Sequence, residues 1–177
     1  MCSSDLGGMG GTFVDAILLF QELGRAAVPG PVLEHMAVGV PALASSSWGP
    51  SLIDGTTIAT VAVEDSPYVA HASTARIIVG VDSVIEGYSS TDAHGIDGGR
   101  RLCRVEGGSS TPCSSNVGGV DAFDVMALAS AAYLIGLSEK MIEIAAEYAR
   151  VREQFGKPIG SFQAVKHLMS DALLKVE

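Results

Sequence analysis

Apolar residues recur at three- and four-residue steps at both ends of this chain and at shorter, strand-like intervals between them, which predicts helix, then β, then helix. Near the start, Thr12 is placed to cap a helix. Phe13, Ile17, Phe20 and Leu23 fall on one of its faces, with Gly24 as its stop. Pro29-Gly30-Pro31 breaks the chain. Pro31 suits the first position of a second helix through Leu33, Met36 and Ala37, which Pro41 kinks or ends. From Ser45 to Gly119 turn residues are dense, at Asp54-Gly55, Asp65-Ser66-Pro67, Asp97-Gly98-Gly99 and Gly107-Gly108-Ser109-Ser110. Between them lie β-rich runs at Thr57–Val63, Arg76–Val81, Val84–Tyr88 and Leu102–Val105, so a small, mostly antiparallel β domain is expected. Trp48 reads as packing rather than as a cofactor platform.

The third section carries the longest pattern. Asp121 to about Val151 reads as one helix roughly 45 Å long at about 1.5 Å per residue. Its stripe is Phe123, Met126, Ala129, Tyr133, Leu137, Met141, Ile144 and Tyr148, with Glu139, Glu143 and Glu147 on an outer face. The first half is apolar nearly all round, which calls for burial against more helices than this chain supplies. Gly156-Lys157-Pro158-Ile159-Gly160 then turns the chain, and Ser161 caps a second helix with Phe162, Val165, Met169, Ala172 and Val176 on its inner face. The expected class is α+β, in three parts: a helical segment at 7–44, a β domain at 45–119 and the start of a helical bundle at 120–177.

Composition narrows the chemistry. The 177 residues are 47% hydrophobic and 18% charged, so the chain can fill a core. Lys plus Arg number 11 against 20 Asp plus Glu, a net charge of −9, which argues against a phosphate-tracking nucleic-acid binder. Cys2, Cys103 and Cys113 lack C-x-x-C spacing and neighbouring His, and read as free thiols of a reducing, cytoplasmic setting. His35, His71, His94 and His167 are scattered singly, so no metal site is expected. The cluster Gly7-Gly8-Met9-Gly10-Gly11 follows no strand and precedes no Gly-Lys-Ser/Thr, so it reads as a lead-in rather than a phosphate loop. The longest nearly unbroken apolar run, Val125 to Leu137, is short for a membrane span, and no signal-peptide pattern opens the chain. Met1 to Leu6 resembles the translation of a sequencing-adapter read-through, and the last helical pattern reaches Glu177 without a cap or breaker, so missing sequence is expected.

Tyr148 to His167, reading Tyr-Ala-Arg-Val-Arg-Glu-Gln-Phe-Gly-Lys-Pro-Ile-Gly-Ser-Phe-Gln-Ala-Val-Lys-His, closely resembles the acyl-CoA dehydrogenase signature: Tyr, three residues, Arg, two residues, Phe-Gly, and a Phe-Gln or His-Gln pair opening the next helix. Gln21-Glu22-Leu23-Gly24-Arg25-Ala26 followed by Pro29-Gly30-Pro31 is similar to the end of that family's N-terminal helical domain. The resemblance implies an acyl-CoA dehydrogenase-like fold of helical, β and helical domains in a tetramer. It further implies FAD between domains and subunits, oxidation of acyl-CoA thioesters to α,β-enoyl-CoA, and an electron-transfer flavoprotein as electron acceptor. It places Arg152, Gln154, Phe155, Phe162 and Gln163 on the FAD of a neighbouring subunit. The residue types agree with that role. Arg suits bidentate contact with a pyrophosphate, Gln154 can donate to phosphate or ribose oxygens, Phe155 offers an aromatic wall, and the N-terminus of a helix favours anions. The alternative from residue types alone is that Arg152 pairs with a surface carboxylate and Phe155 packs the turn.

The sequence departs from the family pattern at four points. The family's catalytic Glu lies beyond Glu177 in most members, and where others place it this chain has Met126, which cannot take a proton, so no catalytic residue is assigned. Asp124 matches a substrate-binding Asp, but its Arg partner is replaced by Ala127, and an acid at a helix N-terminus explains Asp124 equally well. The β section lacks the family's Thr-Glu-Pro, Gly-Ser-Asp and Trp-x-Ser/Thr elements, and the early N-terminal helices are absent. Divergent bacterial members resembling steroid-side-chain dehydrogenases blur the same β region, and some form mixed assemblies. Three readings therefore stand: a fragment of an FAD-dependent acyl-CoA dehydrogenase, inactive and poorly soluble alone; a non-catalytic partner subunit that binds FAD at an interface; and a helical interaction domain without cofactor.

Overall fold

The computed structural model describes residues 10–97 and 99–176. The segment 1–6 with Cys2, the residues Gly7, Gly8 and Met9 of the glycine cluster, Gly98 of one turn and the final Glu177 lie outside them. The elements in chain order are α1 (Phe13–Arg25), a π-helical turn (Glu34–Gly39) running into α2 (Val40–Leu43), α3 (Gly49–Ile53), β1 (Ala59–Val61), β2 (Val69–Ala70), β3 (Ile77–Val79), β4 (Ser83–Glu86), β5 (Ser89–Ala93), β6 (Leu102–Glu106), β7 (Ser109–Pro112), α4 (Ala122–Val151), β8 (Glu153–Gln154), β9 (Lys157–Pro158), a 3-10 turn (Ile159–Ser161) and α5 (Gln163–Val176). This is the α+β order that the pattern predicts. The chain divides into two compact units: one takes Ile17 and the residues before it with Pro29–Ser130, the other Leu18–Val28 with the chain from Ala131 onward.

The first unit holds two sheets. One has the order β1-β3-β4-β7 and the other β2-β6-β5. The β1–β3 pair is parallel (Ala59 opposite Ile77), and every other pair in these sheets is antiparallel. Ile77, Ile78 and Val79 are all buried, because β3 is an interior strand covered on both faces. Between the sheets Val69, Ala72, Ile78 and Cys103 form a core, with Ala62, Ile85, Tyr88 and Val105 packed on it. The four β-rich runs read from the sequence contain β1 and β3 and overlap β4 and β6 to within one residue at an end; β2, β5 and β7 are additional. Trp48 donates its indole N–H to Glu86 Oε1 at 3.0 Å.

Pro41 does not end its helix. The backbone widens to π geometry just before it, with Val40 N–H on His35 O. Pro41 then falls in the first turn of α2, where a missing donor costs nothing. The π turn puts Glu34 in the interior, 2% exposed. Arg100 donates to its Oε1 at 2.9 Å, while Oε2 has no partner among the described residues. His71 is buried too, held with φ 57° by its N–H on Arg101 O (2.6 Å). Burial pushes its imidazole below the usual range; Arg100 and Arg101 push the same way, and Glu34 and Asp97 oppose them.

The second unit is built on a close helix crossing. Gly24, expected to stop α1, is instead buried inside it: a Cβ there would meet Tyr133 C at 2.7 Å and Cα at 2.9 Å. One on Gly136 would meet Gln21 C at 2.8 Å and Arg25 N at 2.9 Å. Glycine is the only residue that lets these backbones approach so far. Gln21 donates to Glu139 at 2.9 Å, and Arg25 pairs with Glu143 and, at 3.5 Å, with Glu139. Helix α1 begins with Thr12 as its cap, bonded reciprocally to Asp15 (3.3 Å from Asp15 N to Thr12 Oγ1, 2.6 Å from Thr12 N to Asp15 Oδ2). It closes beyond Arg25, where Val28 N–H reaches Leu23 O and Ala27 takes the left-handed conformation at φ 49°.

This crossing corrects the expected stripe of α4. The buried positions are Ala122, Val125, Ala129, Ala132, Gly136 and Ala149, while Phe123, Met141, Ile144 and Tyr148 are more than half exposed. At the crossing Gly136 faces α1 because only glycine admits it, and the large apolar side chains are left on faces that nothing among the described residues covers. By length and composition α4, with 30 residues, would reach across a membrane, an inference the shorter run 125–137 did not suggest.

Candidate functional site

The residues singled out by the signature sit where α4 hands over to α5. Helix α4 ends at Val151, with Arg152 N–H still bonded to Tyr148 O at 2.8 Å. The chain then makes a two-residue hairpin, with Glu153 opposite Pro158 and Gln154 opposite Lys157. Ile159 N–H donates to Arg152 O at 2.8 Å, so the register extends to the pair Arg152 and Ile159. The turn residues Phe155 and Gly156 have φ 53° and 77°, the two positive values that a type I′ turn demands. A bulky aromatic in that region is unusual and costs on the order of 1 kcal/mol or more. The turn nonetheless presents Phe155 almost wholly to solvent, 92% exposed. Gly160 lets the return strand close on α4: a Cβ there would stand 2.9 Å from Ala149 O.

Ser161, expected to cap the next helix, lies instead in the 3-10 turn, which takes Ile159 O as the acceptor for Phe162 N–H at 3.1 Å. Phe162 is extended and stands in the cap position, with Lys166 N–H on its carbonyl at 3.2 Å. Its ring meets Phe155 edge to face, centroids 6.2 Å apart, and carries Lys157 Nζ at 4.4 Å from its centre. Gln163 opens α5 and is exposed. Helix α5 turns Phe162, Val165, Met169, Ala172 and Val176 to its more buried side, the face that the spacing predicts.

Arg152, Gln154, Phe155, Phe162 and Gln163 are thus gathered on one hairpin and the helix start behind it. Arg152 and Lys157 form no ion pair among the described residues, although Arg25 and Lys140 in the same unit do. An exposed guanidinium, an amide and a helix N-terminus beside an aromatic pair match the chemistry of a dinucleotide: anionic diphosphate, hydroxyl-rich ribose and flat ring. Asp124 is not part of this cluster. It lies in the first turn of α4, at the opposite end of that helix from the hairpin. Lys157 escaped the reading of residue types; the register across Phe155-Gly156 is the signal that would have found it. No group of three or more His, Cys, Asp or Glu among the described residues could hold a metal ion.

Residues 120–177 match the family model for the acyl-CoA dehydrogenase C-terminal domain. Acyl-CoA dehydrogenase IpdE2 of Mycobacterium tuberculosis is 35% identical over 180 residues, covering 97% of this chain and 55% of its own length. The chain belongs to the acyl-CoA dehydrogenase family. It spans about half the length of that relative. Its fold is that of the family's solved members: the Tcur3481-Tcur3483 steroid acyl-CoA dehydrogenase G363A variant superposes with a TM-score of 0.81 at 21% identity, over 99% of this chain and 60% of the other. A glutaryl-CoA dehydrogenase from Mycobacterium smegmatis, solved with FADH2, superposes with a TM-score of 0.71 at 14% identity, over 97% and 59%. The hairpin of this chain falls within the part that matches the family's C-terminal domain.

Proposed function

We propose that this chain is the flavin-gripping part of an FAD-dependent acyl-CoA dehydrogenase that oxidises acyl-CoA thioesters to α,β-enoyl-CoA, and that it is inactive by itself. The observation that carries the reading is the hairpin: an exposed Arg152, without an ion pair among the described residues and two positions before Gln154, beside a strained and outward-facing Phe155. Arg152 would hold a diphosphate oxygen pair, Gln154 and Gln163 would donate to phosphate or ribose oxygens, and Phe155 and Phe162 would wall the ring system. FAD, when bound, supplies the acceptor for the hydride that leaves the substrate's β-carbon. The hairpin binds and orients. It moves no proton, and Met126 and Ala127 supply neither a base nor a cation toward the thioester.

The segments 7–44, 45–119 and 120–177 are proposed as the corresponding parts of an N-terminal helical, a middle β and a C-terminal helical domain. The exposed Phe123, Leu134, Met141 and Ile144 of α4 are read as the face that meets further helices of the assembly rather than lipid. The acyl-CoA is taken as the substrate class, and an electron-transfer flavoprotein as the acceptor completes the turnover in the cytoplasm. Asp124 remains a candidate for substrate contact. Met126 and Ala127 favour one other reading, a partner subunit that holds FAD at an interface while another chain abstracts the proton. The test is expression of the complete gene and assay with acyl-CoA and an artificial electron acceptor. A yellow, active protein supports the first reading; a yellow protein active only with a second chain supports the other. A colourless product refutes both.

A further inference from the structure

The pairing of β8 with β9 places Lys157 in the same site. Residues opposite one another across an antiparallel pair share a face, and alternate residues along a strand do too. Arg152, Gln154 and Lys157 therefore lie on one face of the hairpin, with the Gln154 and Lys157 Cβ atoms about 5 Å apart, whereas Glu153 and Pro158 lie on the other. The hairpin's carboxylate is thus turned away from its two cations. Neither cation has an acidic partner among the described residues, and the Lys157 ammonium is held over the Phe162 ring rather than left to sweep through solvent. Two like charges on one face with no counter-charge among the described residues, one of them positioned on an aromatic face, make a receptor for an anion bearing more than one charge.

Resting on the flavin reading above, we propose that Lys157 is a third donor of the hairpin. With Arg152 it makes the site select a dinucleotide, whose two phosphates meet two cations, over a mononucleotide with one. Arg152 takes its oxygens in a bidentate fork. Lys157 acts as a point charge on the other phosphate, and Gln154 stands between them.

The test uses the complete, assembled protein stripped of flavin, as wild type and as Lys157→Met, Lys157→Arg and Arg152→Ala. FAD and FMN are titrated by flavin fluorescence at low and high sodium chloride. Lys157→Met keeps an unbranched chain against Phe162 and removes the charge. It is expected to weaken FAD about tenfold, the scale of one charge-assisted hydrogen bond, to leave FMN unchanged and to flatten the salt dependence of FAD binding. Lys157→Arg restores both. If Lys157→Met leaves FAD affinity and its salt dependence unchanged while Arg152→Ala weakens them, the role given to Lys157 is wrong and the flavin reading stands. Equal weakening of FAD and FMN overturns the selectivity. If neither variant alters FAD binding, the flavin reading itself fails.

Discussion

Gly136→Ala sets local preference against packing. Alanine in the middle of a helix is favoured over glycine by about 1 kcal/mol, so α4 considered alone should gain. The crossing with α1 says the reverse. The new methyl carbon would stand 2.8 Å from Gln21 C and 2.9 Å from Arg25 N, and nearer still to the Gln21 carbonyl oxygen. Carbon contacts settle at about 3.5–4.0 Å, so the helices must part by about 1 Å, and the atoms in the way are backbone that cannot rotate aside. Overpacking of this kind costs about 1–3 kcal/mol. The Gln21–Glu139 bond and the Arg25 ion pairs would stretch with it, adding little because they are half exposed. Set against the propensity gain, the net expectation is a loss of about 1 kcal/mol, which for a chain of this size lowers Tm by about 2–4 °C. Thermal unfolding of wild type and variant, followed by circular dichroism, reads it directly. Gly24→Ala should behave alike, and the double variant should cost less than the sum, since helices already parted admit the second methyl more easily. A Gly136→Ala protein with a raised Tm would refute the close crossing.

Other perturbations bear on separate parts of the structure. Phe155→Asn relieves an aromatic from the left-handed region at φ 53°; it should raise stability by about 1 kcal/mol while weakening FAD binding, and parallel loss of both would count against a strained binding residue. Arg100→Ala leaves the Glu34 carboxylate buried without its 2.9 Å partner and should cost about 2 kcal/mol by denaturant titration, whereas Glu34→Gln, which removes the charge, should cost less; equal losses would show the charge to be irrelevant. His71 has a folded pKa below its unfolded value, so its contribution is fully present above about pH 6.5 and is lost as pH falls from there through the lowered pKa. His71→Asn, which tolerates the same backbone, should therefore flatten stability against pH in that window; the partly buried His35, lowered in the same sense, contributes to what slope remains. An unchanged profile would contradict the buried imidazole.

The sequence made some parts of this fold plain and hid others for physical reasons. The Thr12 cap, the four β-rich runs and the inner face of α5 were legible because each rests on a local rule of capping or period. Gly24 was misread as a terminator, its local preference overridden by a helix crossing, and Pro41, read as a kink or an end, follows a π turn and ends nothing. The face of α4 was rotated because large apolar residues look like core, and only the glycine contact reveals that Gly136 faces α1. The strands β5 and β7 are Ser, Thr and Asp up to their last residues, Ala93 and Pro112, with no apolar alternation, so nothing local announces them. At the site, the signature named Arg152, Gln154, Phe155, Phe162 and Gln163, but the face that Arg152 and Gln154 share with Lys157 comes from hairpin register, which a list of residue types does not contain.

The central claim is that the guanidinium of Arg152 holds a flavin dinucleotide, and its most direct measurement is the flavin content of the complete protein purified as wild type and as Arg152→Ala. The account predicts near-stoichiometric flavin absorbance in the first and strong depletion in the second, recovered in part by added FAD at high concentration, with helix content unchanged. Equal flavin content in the two proteins would contradict it.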